Sequence, residues 1–560
     1  MSTDFDIIVV GSGVTGGWAA KELTQKGFKV LMIERGRAIE HGVDYITETS
    51  APWDLPFRGV GDPELYARDY PIQRENRHFT EWTQNHFVKD SENPYTTDDG
   101  KPFNWFRSYQ LGGRSLVWGR QSYRWSDTDF AANKADGAGA DWPIRYADLA
   151  RWYDHVEDFI GVSGQRENLP QLPDGRFQPP MALNVVERHA KAAIERRFPE
   201  RRLTVGRVAN LTEEKEGRSR CQYRSICARG CSYGAYFSTQ SSTLPAAQAT
   251  GNLTVWTDTR VESVDHDPGT RRAAGVSTLN MKTRERKRVT ARTIFLNAGS
   301  FNSVHILLRS RSEAFPNGLA NGSGVLGRYI MDHATALAGV GLVDGFEDRT
   351  TYGNRPTGIV IPRFKNLDNR GGPFLRGYSY QGGAVQSTYN RAKREAGIGA
   401  DFKARMRKPG GWRMVLVAFA ESLPRAENRL SLHASRQDAF GAPLLNIAMT
   451  HGENERKLLA DAAQEARAML EAVGARVVVS MDTPNPPGSA IHEMGGARMG
   501  RDPETSVLNG WCQAHEVANL FVTDGAAMAS SACQNPSLTY MALTARASDY
   551  AATRLRDGAL

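Results

Sequence analysis

The chain opens with two short apolar runs that flank an amphipathic segment. The run Ile7–Val10 leads into a glycine-rich turn, a helix-like stretch extends to Lys26, and a second apolar run covers Lys29–Ile33. A buried strand, a helix and a second buried strand in this order are typical of a βαβ unit. The pattern therefore predicts that a parallel, nucleotide-binding sheet begins at the N-terminus.

Apolar runs of strand length recur further along the chain. Asn252–Val264 and Thr290–Ala298 are predicted as strands that return to the first sheet. Between Met331 and Ser480 the pattern becomes β-rich and predicts an antiparallel sheet, with strands at Ala336–Val343, Gly358–Phe364, Gly377–Val385 and Trp412–Phe419. Helical periodicity predicts helices over Tyr146–Val162 and Asn454–Val473, whereas the polar region 41–104 has little periodicity and predicts long ordered loops.

These patterns predict an α/β fold: a Rossmann-like dinucleotide-binding domain interleaved with an α+β substrate domain built on an antiparallel sheet. A chain of 560 residues with 40% hydrophobic and 24% charged residues is typical of a globular protein. The net charge of +8 is small for this length and does not indicate a nucleic-acid partner. The basic run Arg284–Arg288 is predicted to be a solvated hairpin turn.

No apolar stretch approaches the roughly 18 residues that a membrane-spanning helix needs, so no direct membrane span is expected. The N-terminal sequence MSTDFD enters a strand without the charged and apolar regions of an export signal. Five cysteines, three of them clustered, argue against a disulfide-stapled secreted protein. Folding in a reducing compartment is therefore the expectation.

The turn after the first strand carries the pattern GxGxxG, with the segment Gly11, Ser12, Gly13, Val14, Thr15 and Gly16. Glycines let the backbone approach a pyrophosphate, and the following helix N-terminus supplies amides and partial positive charge. Glu34 ends the second strand, where a carboxylate accepts hydrogen bonds from ribose hydroxyls. A dinucleotide site is favoured over a plain tight turn, but the motif does not distinguish FAD from NAD.

The least random feature of the chain is a cysteine triplet, Cys221, Cys227 and Cys231, in the sequence CQYRSICARGC. A structural zinc site usually needs four ligands, and no histidine lies nearby to complete one. Three thiolates suit a three-iron, four-sulfur cluster, although Ser232 stands where iron–sulfur motifs often have proline. Zinc, redox thiols and coincidence remain the alternatives from spacing alone.

Two C-terminal segments carry residues suited to alcohol oxidation. His492 lies in the segment IHEMGG and Asn535 in SACQNPSLT. A neutral histidine can take a hydroxyl proton, because its pKa lies near working pH. Asparagine cannot act as a base but can hold the hydroxyl in place. His492 is therefore the candidate base and Asn535 its positioning partner; the alternative is that both are turn residues.

Four segments together resemble the glucose–methanol–choline (GMC) oxidoreductases: the N-terminal fingerprint, LGGRSLVWG, FLNAGS and the C-terminal block. They extend from residue 7 to residue 545. Within the family, the chain resembles the catalytic large subunits of bacterial sugar dehydrogenases, such as glucoside 3-dehydrogenase. The resemblance implies FAD, bound non-covalently, because Val117 stands where one branch of the family has the attaching histidine. It also implies a structural role for the pair Asp332–His333.

The resemblance implies a division of the chain into interleaved segments. FAD-binding parts are expected at 1–48, 105–135, within 221–330 together with the cysteine segment, and at 488–560. Substrate-side parts are expected at 49–104, 136–220 and 331–487. The expected FAD contacts, beyond the fingerprint residues Gly11, Gly13, Val14, Thr15 and Gly16, are Glu34, Arg35, Gly113, Arg114, Ser115, Trp118, Gly119, Val261, Ala298, Gly299, Asp524, Gly525, Asn535 and Pro536.

The function that the resemblance implies is oxidation of a secondary ring hydroxyl of a sugar or glycoside, with C3 of glucosides as the first choice. Hydride would pass to flavin N5 while His492 takes the proton, and an iron–sulfur cluster held by Cys221, Cys227 and Cys231 would pass electrons to a cytochrome c or quinone. A small companion subunit would carry the export signal and take the complex to the periplasm; without it, the cytoplasm is expected.

Several alternatives stay open at this point. The chain could be a GMC oxidase that reduces O₂, or a dehydrogenase acting at C1 or C2 of glucose or gluconate. It could also be an electron-transfer subunit whose substrate chemistry lies in a partner. Oxidation of a sterol or long-chain alcohol is disfavoured by the polar, Trp- and Arg-rich loops.

Overall fold

The computed structural model describes residues 3–351, 353–368, 372–388, 391–392 and 395–560. Its strands are β1 (Phe5–Val10), β2 (Val30–Ile33), β3 (Thr96–Thr97), β4 (Thr204–Val205), β5 (Leu253–Trp256), β6 (Thr259–Asp267), β7 (Arg272–Asn280), β8 (Arg286–Leu296), β9 (Ala334–Val343), β10 (Ile359–Ile361), β11 (Tyr378–Gln386), β12 (Trp412–Ala420), β13 (Arg429–Gln437), β14 (Pro443–Ala448), β15 (Arg476–Val479) and β16 (Leu520–Val522).

Its helices are α1 (Val14–Gln25), α2 (Pro63–Asp69), α3 (Asp127–Asp136), α4 (Tyr146–Ile160), α5 (Val185–Arg197), α6 (Leu244–Gln248), α7 (Ser300–Arg309), α8 (Gly399–Arg407), α9 (Glu453–Ala472) and α10 (Ser537–Arg556). None of the helices within the described residues is both long and apolar enough to cross a bilayer.

The first sheet is a nucleotide-binding sheet with the order β5-β2-β1-β8, in which neighbouring strands are parallel. One edge of β8 pairs with the antiparallel β7 in its first half and with the parallel β16 in its second half. Helices α1, α4 and α10 pack together over this sheet. The carboxyl ends of β1, β8 and β16 therefore meet at one edge, where ligands of parallel sheets bind.

The second sheet is antiparallel, with the order β15-β9-β12-β11-β10-β4. Successive residues of its strands face opposite sides, most regularly in β12. In β12, Trp412, Met414, Leu416 and Ala418 are buried in a core shared with α5 and α9, whereas Val415, Val417 and Phe419 line a large cavity on the other side. The sheet thus forms one wall of that cavity and rests on helices behind it.

The predicted α/β fold with an interleaved antiparallel sheet is confirmed, and two local predictions need correction. The predicted strand Asn252–Val264 is divided in two at Asp258, whose φ is 50°. The predicted hairpin turn Arg284–Arg288 ends at residue 285, because β8 begins at Arg286. Arg286 and Arg288 pair with Glu262 and Asp265 of β6, at 2.8 Å each, so these cations lie on a strand face.

Candidate active site

The loop that carries His492 is fixed by one buried carboxylate. Asp332 Oδ1 accepts a hydrogen bond from the His492 amide at 2.9 Å, and Oδ2 accepts from the amides of Gly488 (2.8 Å) and Ala490 (3.2 Å). Met331 pairs with Met494 through two backbone hydrogen bonds, which aligns the start of β9 with this loop. Asp332 is fully buried, and its three bonds determine where the histidine backbone lies.

The His492 imidazole belongs to a hydrogen-bonded chain whose direction fixes its protonation. His333 Nε2 lies 2.9 Å from the carbonyl oxygen of Ala532, so it must donate and carry a proton. His333 Nδ1, 2.9 Å from His492 Nδ1, is then the acceptor in a neutral ring, and His492 Nδ1 donates. His492 Nε2 is left without a proton. This series of hydrogen bonds therefore leaves the unprotonated Nε2 of His492 facing Asn535.

Asn535 is held in one orientation by a residue of the substrate-side sheet. Gln381 Nε2 donates to Asn535 Oδ1 at 2.5 Å, so the amide nitrogen of Asn535 faces the other way. That nitrogen lies 3.0 Å from His492 Nε2 and donates to it. A hydroxyl entering between the two side chains would donate to His492 Nε2 and accept from Asn535 Nδ2, which is the geometry of assisted proton removal.

Burial keeps both imidazoles neutral. It lowers the pKa of His492 well below 6.5, and the charge of Arg114 lowers it further. Burial likewise lowers the pKa of His333 to about 4. The pKa of Asp332 is raised to about 7 by burial and by the neighbouring Glu493, which is ion-paired with Arg114 at 2.6 Å. At neutral pH the base is therefore free to accept a proton.

A cavity of about 2540 Å³ joins this pair to the nucleotide-binding end of the first sheet. Every expected FAD contact lines it except Gly16, which lies behind it: a Cβ on Gly16 would stand 1.9 Å from the Gly11 carbonyl oxygen. Gly16 thus lets α1 pack closely on β1. Trp118 lines the cavity with its ring anchored, because its Nε1 donates to the Phe237 carbonyl at 2.9 Å.

The N-terminus of α1 is suited to an anionic group. A Cβ on Gly13 would meet nothing within 4 Å, so space for a ligand lies against the backbone there. Among the described residues, no side chain caps this helix end and no acidic residue occupies its first turn. The free amides and the helix dipole therefore point at an open cradle, which fits a pyrophosphate.

Two buried carboxylates line the same cavity. Glu34 accepts hydrogen bonds from the Gly36 amide at 2.8 Å and from the Ser12 hydroxyl at 2.5 Å, and burial raises its pKa. Asp524 accepts from the Gly299 amide at 3.0 Å, and burial raises its pKa to about 6. Glu34 ends β2 as predicted from the sequence and borders the cavity where a ribose would lie. These residues, together with the α1 cradle, fit FAD.

The three clustered cysteines line a second, much smaller cavity of about 20 Å³. All are free thiols. Within the part of the chain that the structure describes, no three His, Cys, Asp or Glu side chains are placed so that they could hold a metal ion. The structure thus brings Cys221, Cys227 and Cys231 to one cavity but shows no metal-ligand geometry among the described residues there, and the predicted metal site stays a prediction.

The cysteine cavity lies directly behind a wall of the large one. The turn Gly113–Leu116 packs against the turn Cys227–Arg229. Tyr236, which lines the cysteine cavity, donates its hydroxyl to the Leu116 carbonyl at 2.7 Å. Arg224 Nη2 lies 3.9 Å from Cys231 Sγ. One cation therefore lies at hydrogen-bonding distance from a thiol sulfur.

Two further residues of the candidate site were not assigned to it from the sequence. His333 was predicted to have a structural role, and the structure places its Nδ1 2.9 Å from Nδ1 of the candidate base His492. Gln381 was not predicted as a site residue. The available signal for Gln381 was strand alternation: Tyr378 and Tyr380 of β11 are buried in the core, so Ser379 and Gln381 must face the opposite side. For His333, the signal was its place at the start of β9, beside Asp332.

Comparison with known proteins places the chain in a family. Models described as GMC oxidoreductase match residues 5–335 and 424–544. The chain is 27% identical to 2-methyl-1,2-propanediol dehydrogenase of Mycolicibacterium austroafricanum, over 99% of this chain and 96% of that protein. It is 28% identical to paromamine 6'-oxidase of Streptomyces fradiae (96% and 89%) and 25% identical to the fructose dehydrogenase large subunit of Gluconobacter japonicus (99% and 98%).

Among solved structures, pyridoxine 4-oxidase from Mesorbium loti is similar in fold, with a TM-score of 0.60 at 16% identity over 97% of this chain and 98% of that one. The N-terminal family match covers more than half of the chain, and the fold and the FAD cradle agree with it. The protein belongs to the GMC oxidoreductase family.

Proposed function

We propose that the protein is an FAD-dependent dehydrogenase that oxidises a secondary ring hydroxyl of a sugar or glycoside, with C3 of glucosides as the first choice. The observation that carries this proposal is the unprotonated Nε2 of His492, held by His333 and facing the amide nitrogen of Asn535. Bound FAD would accept the hydride from the carbon. A base of this kind contributes a factor on the order of 10²–10⁴ in rate.

Each residue of the pair has a separate task in this proposal. His492 takes the hydroxyl proton on Nε2, while its Nδ1–H stays bonded to His333. Asn535 donates to the hydroxyl oxygen and fixes which C–H points toward the cofactor. The antiparallel sheet lines the cavity with both apolar and polar side chains, and Gln381 and Thr335 are among the polar ones. Such a wall favours a hydroxylated substrate over a sterol.

The test is anaerobic mixing of the holoenzyme with methyl α-glucoside, followed by the absorbance of oxidised FAD. We expect bleaching, and NMR of the product should place the ketone at C3. His492→Ala should slow bleaching at least about a hundredfold. A ketone at C2 would move the assignment to another ring carbon. Bleaching at an unchanged rate in the His492 variant would contradict the proposed base.

We further propose that electrons leave through a centre at Cys221, Cys227 and Cys231, an iron–sulfur cluster of the three-iron type, to a cytochrome c or a quinone. The support is the convergence of three free thiols on one cavity directly behind the turn Gly113–Leu116. Arg224 beside Cys231 would offset negative charge there.

A protein partner is proposed beside the cysteine segment. Loop 43–60 carries large apolar side chains that are 46% to 73% exposed, namely Val43, Ile46, Trp53, Phe57 and Val60. Glu48 of this loop is ion-paired with Arg224, and Arg229 bonds to the Ser50 carbonyl at 3.2 Å. Exposed apolar clusters of this kind mark interaction sites. We propose a protein electron acceptor here, and a small companion subunit that brings the complex to the periplasm.

A second candidate function is direct reduction of O₂. Two observations favour it: the similarity to paromamine 6'-oxidase and the lack of metal-ligand geometry among the described residues. Oxygen consumption by the sugar-reduced enzyme, compared with reduction of an artificial acceptor, separates the two. Stoichiometric hydrogen peroxide would identify an oxidase, whereas slow reoxidation in air and rapid reoxidation by the acceptor would identify a dehydrogenase.

A further inference from the structure

Arg120 is a buried arginine with no counter-charge. It is 6% exposed, and its Nη1 donates to the Trp118 carbonyl at 2.5 Å. Its Nε is fully buried without a partner, and the described residues offer it no carboxylate as an ion pair. Burying a charge without a partner is costly. The side chain lines the large cavity, so a ligand there could supply the missing negative charge.

The backbone of Arg120 is also strained. Its φ is 59°, in the left-handed region that residues with a side chain seldom adopt. Neighbouring residues hold the backbone in this conformation: the Arg120 carbonyl accepts hydrogen bonds from the Ala209 amide at 2.9 Å and from the Ser122 hydroxyl at 3.0 Å. Strain that the surrounding structure maintains is concentrated at ligand-binding and catalytic positions.

A second arginine lies on the same cavity. Arg77 donates from Nε to His78 Nε2 at 3.2 Å and, within the described ranges, forms no ion pair. The Arg77 side chain is solvent-exposed on the cavity wall, whereas burial lowers the pKa of His78 to about 4, so His78 is neutral at pH 7. Two cations therefore line one cavity, with Arg120 buried and Arg77 exposed.

The carboxylates on this side of the cavity are already engaged. Glu187 forms a bidentate ion pair with Arg355, at 2.8 and 2.9 Å. Glu75 pairs with Arg74 at 3.6 Å. The Arg120 guanidinium lies 5.3 Å from the centroid of the Tyr236 ring, a cation–π contact. No carboxylate of the described residues is ion-paired with it, so an anionic ligand could supply the missing counter-charge.

Arg120 lies on a wall that is joined to the catalytic pair. Gln121, the next residue, donates to Thr357 Oγ1 at 2.8 Å. Thr357 precedes β10, in which Ile359 pairs with Gly382 of β11. The neighbouring Gln381 holds Asn535. Two hydrogen bonds and one strand pair therefore connect the arginine segment with Asn535, the residue that would orient the reacting hydroxyl.

We propose that Arg120 and Arg77 form a subsite for an anionic group, so that the substrate is an acidic sugar or glycoside that carries a carboxylate or a phosphate. This inference rests on the proposed sugar oxidation and names its substrate class. An arginine fork suits either group, because it can donate two parallel hydrogen bonds.

The test compares kcat/KM for methyl glucoside, methyl glucuronide and methyl glucoside 6-phosphate. The wild-type enzyme should prefer one of the two anionic sugars over the neutral one by about tenfold or more, and which one it prefers identifies the group. Arg120→Gln and Arg77→Gln should each remove about tenfold or more of kcat/KM for that sugar. The neutral sugar should change less than about twofold.

The matched control is Arg349→Gln, since Arg349 lies at the cavity rim, is 69% exposed and is near Asp348. It should leave the preference unchanged. An equal loss for neutral and anionic sugars in the Arg120 and Arg77 variants would overturn the subsite. So would a wild-type enzyme without anionic preference, or loss of bound FAD in Arg120→Gln, which would assign the arginine to the cofactor.

A binding measurement separates this inference from the proposed function. Calorimetry with the His492→Ala holoenzyme should show glucuronate or glucose 6-phosphate binding about tenfold or more tightly than glucose, and the Arg120→Gln change should abolish that difference. If no sugar is oxidised but the anion preference in binding remains, the proposed reaction fails and the subsite stands. Equal binding of neutral and anionic sugars overturns the subsite, whatever the reaction.

Discussion

His333 Nδ1 accepts the Nδ1 proton of His492 across 2.9 Å, and this contact determines which nitrogen of the base is free. The direction of the bond follows from the Ala532 carbonyl, which can only accept from His333 Nε2. In the proposed reaction, one imidazole is therefore the base and the second fixes its tautomer.

The first prediction concerns His333. His333→Leu removes the acceptor for His492 Nδ1, so the proton can move to Nε2 and block the base. We expect kcat for sugar-driven FAD reduction to fall on the order of 10²-fold or more, as in other sites where a histidine tautomer is released, with KM changed little. His333→Asn should recover part of the rate, because its Oδ1 can still accept. Equal rates in the two variants would contradict tautomer control.

The second prediction concerns pH. The pKa of Asp332 is raised to about 7 by burial and by Glu493, whereas that of His492 lies well below 6.5. The carboxylate form of Asp332 holds the loop, so activity is present above pH 7 and declines as the pH falls through this value. We expect the acid limb of kcat/KM to reflect Asp332. Asp332→Asn should lower activity and remove this inflection; an inflection that persists would assign it to another group.

The third prediction concerns Gln381. Gln381→Leu releases Asn535 Oδ1, so the amide can rotate and no longer presents its nitrogen to the substrate. We expect about a tenfold loss of kcat, the scale of one hydrogen bond to a positioning group. The matched control is Gln386→Leu on the same strand, where the side chain donates to the Glu347 carbonyl at 2.9 Å. Stopped-flow FAD reduction measures both, and similar losses would argue against positioning.

The fourth prediction separates two glycines of one motif. A Cβ on Gly13 meets nothing within 4 Å, whereas one on Gly16 would stand 1.9 Å from the Gly11 carbonyl oxygen. Gly13→Ala should therefore fold normally but bind FAD at least about tenfold more weakly, since it intrudes on the helix-terminal anion site. Gly16→Ala should lower the free energy of unfolding by about 1–3 kcal/mol or more. Thermal unfolding of the apoprotein and FAD titration give the two readouts.

The fifth prediction concerns the cysteine triplet. Cys227→Ser should leave FAD reduction by sugar within about twofold, because Cys227 lines the small cysteine cavity and not the large one that contains His492 and Asn535. Electron transfer to cytochrome c or a quinone should fall steeply, and anaerobic iron and sulfide analysis should show loss of both. Cys512→Ser is the matched control, since Cys512 is buried away from the triplet. A wild-type protein without iron or sulfide would refute the cluster.

The nucleotide-binding half was predictable because its signals are local. The apolar run before Gly11, the periodic helix and the carboxylate at Glu34 all lie within one βαβ unit, and the structure places them as expected. The antiparallel sheet was also predictable, since alternation in a strand such as β12 follows directly from having one face in a core and one on a cavity.

The parts that were missed depend on distant pairings. Gln381 and Asn535 are separated by 154 residues, and His333 and His492 by 159. A single sequence carries no signal that these side chains meet, because register between distant strands is set by tertiary packing. The prediction that Arg286 and Arg288 lie in a hairpin turn was wrong for the same reason. Their ion-pair partners lie on β6, more than twenty positions earlier in the sequence.

The backbone pairing of Met331 with Met494 has a consequence for engineering. It joins the segment that begins the antiparallel sheet to the segment that bears the base, and each contributes one ring of the histidine pair. A chimera that takes residues 334–487 from a relative, and so alters substrate choice, should keep 331–333 and 488–494 from a single parent. A crossover between them would combine a base from one enzyme with a tautomer-setting partner from another.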